Sequence, residues 1–501
     1  MRDAGKSCRT SWQKTLFSRT RRVMSCAVWP PKSSTKTCSS TVAPMGVAVR
    51  FAAVEFADMN GYFQSNSERE KGRMVLPSRR KGYCPAGADQ TPTSSLLRGT
   101  IMSEWWHEFR RQMPVAERWA YFDHAAVAPL SLPAKQALAN WADEVTNNGD
   151  ANWSEWRKRV SPVRDSAARL LGCQSSEIAF IPNTTSGLSI IAEAFPWQPG
   201  DNVVLASGEF PANRNTWRCL IPRGVEVRVV ESEPGSDVCT IDRLLAATDA
   251  RTRIVTASWV GFVTGWRHDL DELADACHRR GILLCVDAIQ GLGVIPLDLS
   301  RTSVDFLAAD GHKWMLGPEG AGVLFIRQEH LERLRPTGIG PNSIGFSGSY
   351  LGDVADYSDD AGSYRVARPL QPREMWSSAR RFEGGTANAG GILALGASLD
   401  LLLSFGIDAI WSRLCDITDQ LRQTLDSLNF TICPSAEPTR RSGIVSCEVS
   451  DDDRRRILAT AKPAGVLLNF REGLMRFSPH AYTDETDLER LRSVLAEGRS
   501  P

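Results

Sequence analysis

Two residues of complementary chemistry stand at the ends of two apolar runs, Asp287 closing 282–287 and Lys313 following 305–310 in the order Asp310-Gly311-His312-Lys313-Trp314. A lysine amine condenses with a carbonyl, and a carboxylate delivered to the same rim can hold a heteroaromatic nitrogen protonated. Lys313 and Asp287, 26 positions apart, thus have the makings of a pyridoxal 5'-phosphate (PLP) site. The lysine would form the Schiff base, and the carboxylate would keep the pyridine ring an electron sink. Taken singly, each has a plainer reading: a solvated surface lysine and a helix-capping aspartate.

Those ends need elements to place them. Apolar runs of strand length occur at 202–206, 253–258, 282–288, 305–310 and 322–327. Between two of them, at 268–280, Leu270, Leu273, Ala274 and Cys277 repeat at i, i+3, i+4 and i+7, and Gly281 supplies a stop signal. Strand, helix and strand at this spacing predict parallel βαβ units, whose ligands bind beyond the carboxyl ends of the strands. The patterned region begins near Tyr121.

The chain has 501 residues, enough for two or three domains, and 59 basic against 58 acidic side chains. No whole-chain field therefore favours nucleic acid or an anionic membrane. The charge is uneven, however: residues 1–101 hold 17 Lys/Arg and 6 Asp/Glu, a surplus of 17 − 6 = +11. That stretch keeps neither helical nor strand periodicity and reads as a basic, disordered leader or as the product of a start assigned upstream of Met102. Arg21-Arg22 is followed by an apolar run that meets Pro30 and Pro31 too soon for an export signal. No segment reaches the ~18 apolar residues of a membrane span. The twelve cysteines are irregularly spaced with no CxxC pair, which gives no support to a metal site or disulfide scaffold and fits a reducing, cytoplasmic setting.

Five motifs in order, Asn183-Thr184-Thr185-Ser186-Gly187, Glu209-Phe210-Pro211-Ala212-Asn213, Asp287-Ala288-Ile289-Gln290, Gly311-His312-Lys313 and Arg381-Phe382-Glu383-Gly384-Gly385-Thr386, resemble the class V aminotransferase family. That family includes cysteine desulfurases, isopenicillin N epimerase-like proteins and kynureninases. The resemblance implies an α/β fold, with a PLP-dependent aminotransferase-like large domain on a mainly parallel sheet and a smaller C-terminal α/β domain. The corresponding boundaries are 1–101 for the leader, 102–387 for the N-terminal segment and large domain, and 388–501 for the small domain.

By the same resemblance Thr184 and Thr185 belong to a phosphate cup and Phe210 stacks on the pyridine face. Gln290 reaches the cofactor's phenolic oxygen, and His312 contacts phosphate or serves structure. Thr386 reaches the phosphate of the neighbouring subunit, which implies a homodimer with shared sites. Arg476 binds the substrate carboxylate, with Arg471 as the lesser candidate. Asp310 departs from the family pattern, where a hydroxyl residue is common; a carboxylate would repel phosphate, so its side chain is expected to turn elsewhere. Phe262 and Trp259 also depart, standing where desulfurases carry asparagine and histidine. The Gly- and Ser-rich stretch 336–363 is too long for an ordinary connection and is expected to cover the site or the dimer interface.

These residues imply an enzyme acting on a small amino-bearing substrate, of epimerase or aminotransferase type. The alternatives are a cysteine desulfurase or selenocysteine lyase, and a non-catalytic PLP-fold protein whose leader binds nucleic acid. The intact Lys313 and Asp287 oppose the last. A desulfurase needs a mobile thiolate, yet 465–482 holds no cysteine, Cys447 lies in a strand-like run, and Phe210 cannot exchange protons as a histidine does.

Overall fold

The computed structural model describes residues 105–233, 237–343, 375–433 and 437–499, all within one compact unit, Ala88–Pro501. The leader and most of the 336–363 stretch lie outside the described residues.

Strand β1 (Ala120–Tyr121) is followed by β2 (Ile178–Ile181), β3 (Asn202–Ala206), β4 (Glu226–Val230), β5 (Thr252–Ser258), β6 (Leu283–Asp287), β7 (Phe306–Asp310) and β8 (Gly322–Ile326). Strands β2 to β8 form one seven-stranded sheet in the order β2-β8-β7-β6-β5-β3-β4. β4, β3, β5, β6 and β7 pair in parallel. β8 runs antiparallel to both β7 and β2. β7 and β8 are joined without a helix, so this step of the apolar pattern is not a βαβ unit. β2, reversed twice, ends on the same rim as β7.

The central strands are buried along their whole length on both faces, as expected where helices cover a parallel sheet. One covering helix, Leu270–His278, starts at Asp269, whose side chain accepts the Glu272 N–H, and ends before Gly281 at φ 69°. Cys277 and Cys285 are fully buried in this helix and in β6.

The C-terminal part forms a second layer. Strands β9 (Ile432–Cys433), β10 (Val445–Cys447), β12 (Asn469–Arg471) and β13 (Leu474–Phe477) make an antiparallel sheet in the order β12-β13-β10-β9. Helices Ile407–Ser427 and Glu485–Gly498 share its apolar core through Ile417, Leu421, Leu491 and Leu495. That core also takes Ala120 and Phe122 from the N-terminal segment, because β1 pairs in parallel with β11 (Val466–Leu467). The chain therefore crosses to the small domain before building the large one.

Among the described residues no single helix is long and apolar enough to cross a membrane. The bent pair Ala389–Phe405 and Ile407–Ser427 passes that test jointly, but Ile392, Leu395, Leu399 and Leu402 are buried in the same core as residues of the seven-stranded sheet.

Candidate active site

The carboxyl-end rim gathers residues from five strands. Asp287 is the last residue of β6, Lys313 lies three residues beyond β7, Phe210 four beyond β3, Trp259 and Phe262 just beyond β5, and Thr184 three beyond β2. The loop after β7 needs Gly311: a Cβ there would sit 2.5 Å from the Ala321 carbonyl oxygen and 2.8 Å from Leu395 Cδ1. The following turn closes with Leu316 N donating to the Lys313 carbonyl and Leu316 in the left-handed region at φ 56°. A branched side chain adopts that region at a cost of about 1–2 kcal/mol, so packing holds the lysine loop in a conformation its sequence does not favour.

Lys313 is 8 % exposed and Asp287 2 %. They make no ion pair within 4 Å, yet each feels the other's charge. Burial pushes Lys313 down to about 8, with Arg476 and Arg471 adding to the fall and Asp287 and Asp310 opposing it. Burial raises Asp287 to about 6 against the pull of the Ile289 N–H and Lys313. The Lys313 Nζ lies 5.6 Å from the centre of the Phe210 ring. Phe210 meets Phe262 edge to face at 5.1 Å.

Thr184 and Thr185 open the helix Thr184–Ala194, capped by Asn183, whose side-chain oxygen accepts the Ser186 N–H. The first-turn amides of such a helix have no intrahelical acceptor and favour an anion. The Thr184 hydroxyl itself accepts the Asp310 N–H at 2.9 Å, tying this helix start to the β7 end. Asp310 does turn away from the cup. Its Oδ1 accepts the Gly311 N–H, and its Oδ2 lies 2.8 Å from His312 Nδ1, at ion-pair distance but off the line of a hydrogen bond.

Gln290 is tied to the surrounding structure. Its Nε2 donates to the Ala125 carbonyl and its Oε1 accepts the Trp314 indole N–H, both at 3.0 Å. Two structural partners hold the amide, and a single N–H is left for a ligand. Thr386 is exposed, in the segment leading to the helix Ala389–Phe405.

Arg476, on β13, is 1 % exposed. Its Nη1 donates to the Phe262 carbonyl at 2.7 Å, its Nη2 lies 3.3 Å from Asp123 Oδ1, and its buried Nε meets no partner among the described residues. Asn469 pairs with Arg476 across β12–β13 and also donates to Asp123. Arg471, two residues along the same strand, therefore presents its side chain on that face.

Sequence reasoning gave no role to Asp123, which orients Arg476, or to Glu209, quoted only within its motif, which is 7 % exposed and hydrogen-bonded through both carboxyl oxygens. A signal for Glu209 was present: an acid at the end of a buried strand, directly before an aromatic residue. Asp123 had none, since its partner lies 353 positions away.

A buried amine of lowered pKa, a buried carboxylate facing it, an aromatic ring above and a helix start beside them suit PLP's aldehyde, ring nitrogen, π-face and phosphate in turn. Residues 120–491 match the family model for aminotransferase class V. A probable cysteine desulfurase of Methanothermobacter thermautotrophicus is 28% identical over 411 residues, 78% of this chain and 97% of that protein. A cysteine desulfurase of Salmonella newport is 30% identical over 317 residues, 60% of this chain and 72% of the relative. Among solved structures, the cystine C–S lyase C-DES in complex with its product cysteine persulfide superposes with a TM-score of 0.68 at 24% identity, covering 77% of this chain and 99% of that one. The apo cysteine desulfurase of Thermococcus onnurineus NA1 does so with a TM-score of 0.65 at 22% identity, covering 78% and 97%. Those two likenesses speak to the fold, whereas the family match spans the rim residues themselves and most of the chain: this protein belongs to the class V aminotransferase family, and its cofactor is pyridoxal 5'-phosphate.

Proposed function

We propose that the protein takes the Cα proton from an α-amino acid with Lys313 and returns it to Cα or to the cofactor, as an epimerase or aminotransferase does. The observation that carries this reading is the convergence of Lys313, Asp287 and Arg476 at one rim with, among the described residues, no accessible cysteine beside them. When bound, PLP supplies an electron sink conjugated to the substrate's Cα.

The chain's own residues do the rest. Lys313 would hold the cofactor through its amine and would serve as the base at Cα, a role suited to an amine poised near neutrality. Asp287 would hold the ring nitrogen protonated, and Phe210 would cover the ring face. The first-turn amides of Thr184 and Thr185, with Thr386 of a second copy, would hold the phosphate, and His312 would contact the phosphate or support the lysine loop. Arg476 takes the substrate carboxylate through its free Nε and outer N–H groups, a planar match to a carboxylate. Arg471 stands on the same face as a second cation. Shared phosphate binding of this kind makes the homodimer the working unit.

The lowered pKa of Lys313 sets the pH dependence of cofactor capture. Only the free amine condenses, so the rate of PLP loading into apoprotein should climb as pH rises through about 8 and level off above 9. Stopped-flow absorbance would follow it. A rate still climbing at pH 10 would mean that burial does not perturb this lysine.

A second reading, cysteine desulfurase, is favoured by the names of the relatives. Desulfuration through the enzyme's own thiol requires an accessible thiolate near the substrate. Cys447 is fully buried, its thiol pushed up to about 12 by burial. The exposed Cys219 lies in the turn Thr216–Arg223 and is likewise raised, to about 11. Incubation with a panel of L-amino acids in D2O should give Cα deuterium exchange or oxo acid, and L-cysteine with a thiol reductant should give at most slow sulfide release indifferent to alkylation. Multiple turnovers of sulfide and alanine, abolished by alkylating one identified cysteine, would replace this proposal with the second reading.

A further inference from the structure

We infer that Glu209 is a positioning residue for the cofactor site: it fastens the Phe210 turn to the end of β5, beside Asp287, through a hydrogen-bond pattern that only a carboxyl group can complete. The inference rests on the reading that Phe210 covers PLP held by Lys313.

Glu209 lies between β3 and the short helix Pro211–Asn215. Its Oε1 accepts the Ser258 N–H at 2.8 Å, and its Oε2 accepts from Asn213 Nδ2 at 2.9 Å and contacts the Ser258 hydroxyl. The polarity of this arrangement is fixed from outside. The Trp217 indole nitrogen, which can only donate, points at Asn213 Oδ1 at 3.1 Å, and the Thr256 hydroxyl reaches the same oxygen at 2.6 Å. The Asn213 NH2 group must therefore face Glu209. Each carboxyl oxygen of Glu209 meets an N–H that cannot reverse. A glutamine would have to turn its own NH2 toward one of them and leave buried donors unpaired.

What the clamp holds is the cofactor's surroundings. Ser258 is the register partner of Asp287 across β5 and β6, and the Trp259 N–H donates to the Asp287 carbonyl at 2.8 Å. On the other side, Phe210 follows Glu209 directly. Phe210 is 41 % exposed, so apart from the edge of Phe262 little packing fixes its ring, and its place over Lys313 depends on the backbone that Glu209 ties down. Burial raises Glu209 to about 7 despite the Ser258 and Asn213 hydrogen bonds, and Asp287 adds to the rise. The clamp is thus electrically adjacent to the carboxylate meant for the ring nitrogen.

The test measures PLP retention and the circular dichroism of the bound-cofactor band in the full chain. Glu209→Gln should weaken retention about tenfold, the cost of buried unpaired donors, and diminish the band. Glu209→Gln combined with Asn213→Asp swaps donor for acceptor, since an aspartate at 213 still accepts from Trp217 and Thr256, and should restore most of both. Phe210→Ala should diminish the band, and adding Glu209→Gln to it should change little more, because the clamp acts through the ring. Wild-type retention and dichroism in Glu209→Gln would overturn the inference, as would an effect fully additive with Phe210→Ala. If Glu209→Gln alone is insoluble, the swapped pair decides: soluble and cofactor-loaded supports the clamp, insoluble like the single variant refutes it. Borohydride labelling of wild-type protein separates the two levels. Lys313 labelled with an indifferent Glu209→Gln sinks the clamp alone, whereas an unlabelled Lys313 sinks the reading beneath it and the clamp together.

Discussion

Replacing Lys313 by alanine is expected to lower turnover on the order of 10⁴-fold, the scale of losing a positioned acid–base group, with the covalent tether lost as well. Lys313→Arg should be as inactive. Arginine keeps the positive charge that Asp287 and Asp310 face, but its guanidinium neither condenses with an aldehyde nor gives up a proton near neutral pH. The pair of variants thus separates charge from nucleophilicity. The alanine variant should still fold, because removing a buried amine of lowered pKa also removes a desolvation cost. In the wild-type protein, borohydride should fix the cofactor to the peptide carrying Lys313 and to no other. A label on a different lysine, or near-normal rates in Lys313→Arg, would remove the central claim.

Asp287→Asn should cost about 10²–10³-fold in rate while some cofactor is retained. Leaving one member of a buried ion pair without its partner costs roughly 3–5 kcal/mol, and here the unpaired charge would be the protonated ring nitrogen. The amide is isosteric and can keep the bond from the Ile289 N–H to Asp287 Oδ1, so the β6 end need not move. The effect should fall on turnover, with a blue-shifted cofactor band that no longer depends on an acid of pKa near 6. As pH falls through that value the wild-type carboxyl becomes protonated in apoprotein, so wild-type cofactor binding should weaken more steeply toward acid than that of Asp287→Asn, which keeps only the dependence set by Lys313 near 8. Wild-type turnover in the variant, measured over the same pH range, would contradict the assignment of Asp287.

Much of this site could be read along the chain because the strands that present it are buried on both faces. β3 was delimited at 202–206 to the residue, and β5, β6, β7 and β8 within one or two positions, since a strand covered by helices on both sides is a continuous apolar run whose end is marked by the first polar residue. Asp287 and Lys313 are those end residues or nearly so, which is why the chemistry was visible before the fold. The helix Leu270–His278 was legible for a related reason: one buried face, an aspartate cap and a glycine stop are all local.

What the tertiary structure alone decided was pairing. The polar edge strand β4 shows a mixed pattern of exposure, and β2 is only four residues long, so neither stands out from its surroundings. The antiparallel return of β8 and the passage of β1 into the small domain depend on partners far away in sequence, which periodicity cannot name. Side-chain roles follow the same division. The motif names Gln290 as a cofactor contact, but that its amide is also held by Ala125 and Trp314, two groups brought together by the fold, is not legible in it. Charge alone argues that Asp310 should turn from a phosphate, yet that it would bond Gly311 and approach His312 could not be foreseen. Sequence fixes which groups are available at a strand end; which donor meets which acceptor is settled by distant backbone, because a hydrogen bond is made or lost over a few tenths of an ångström.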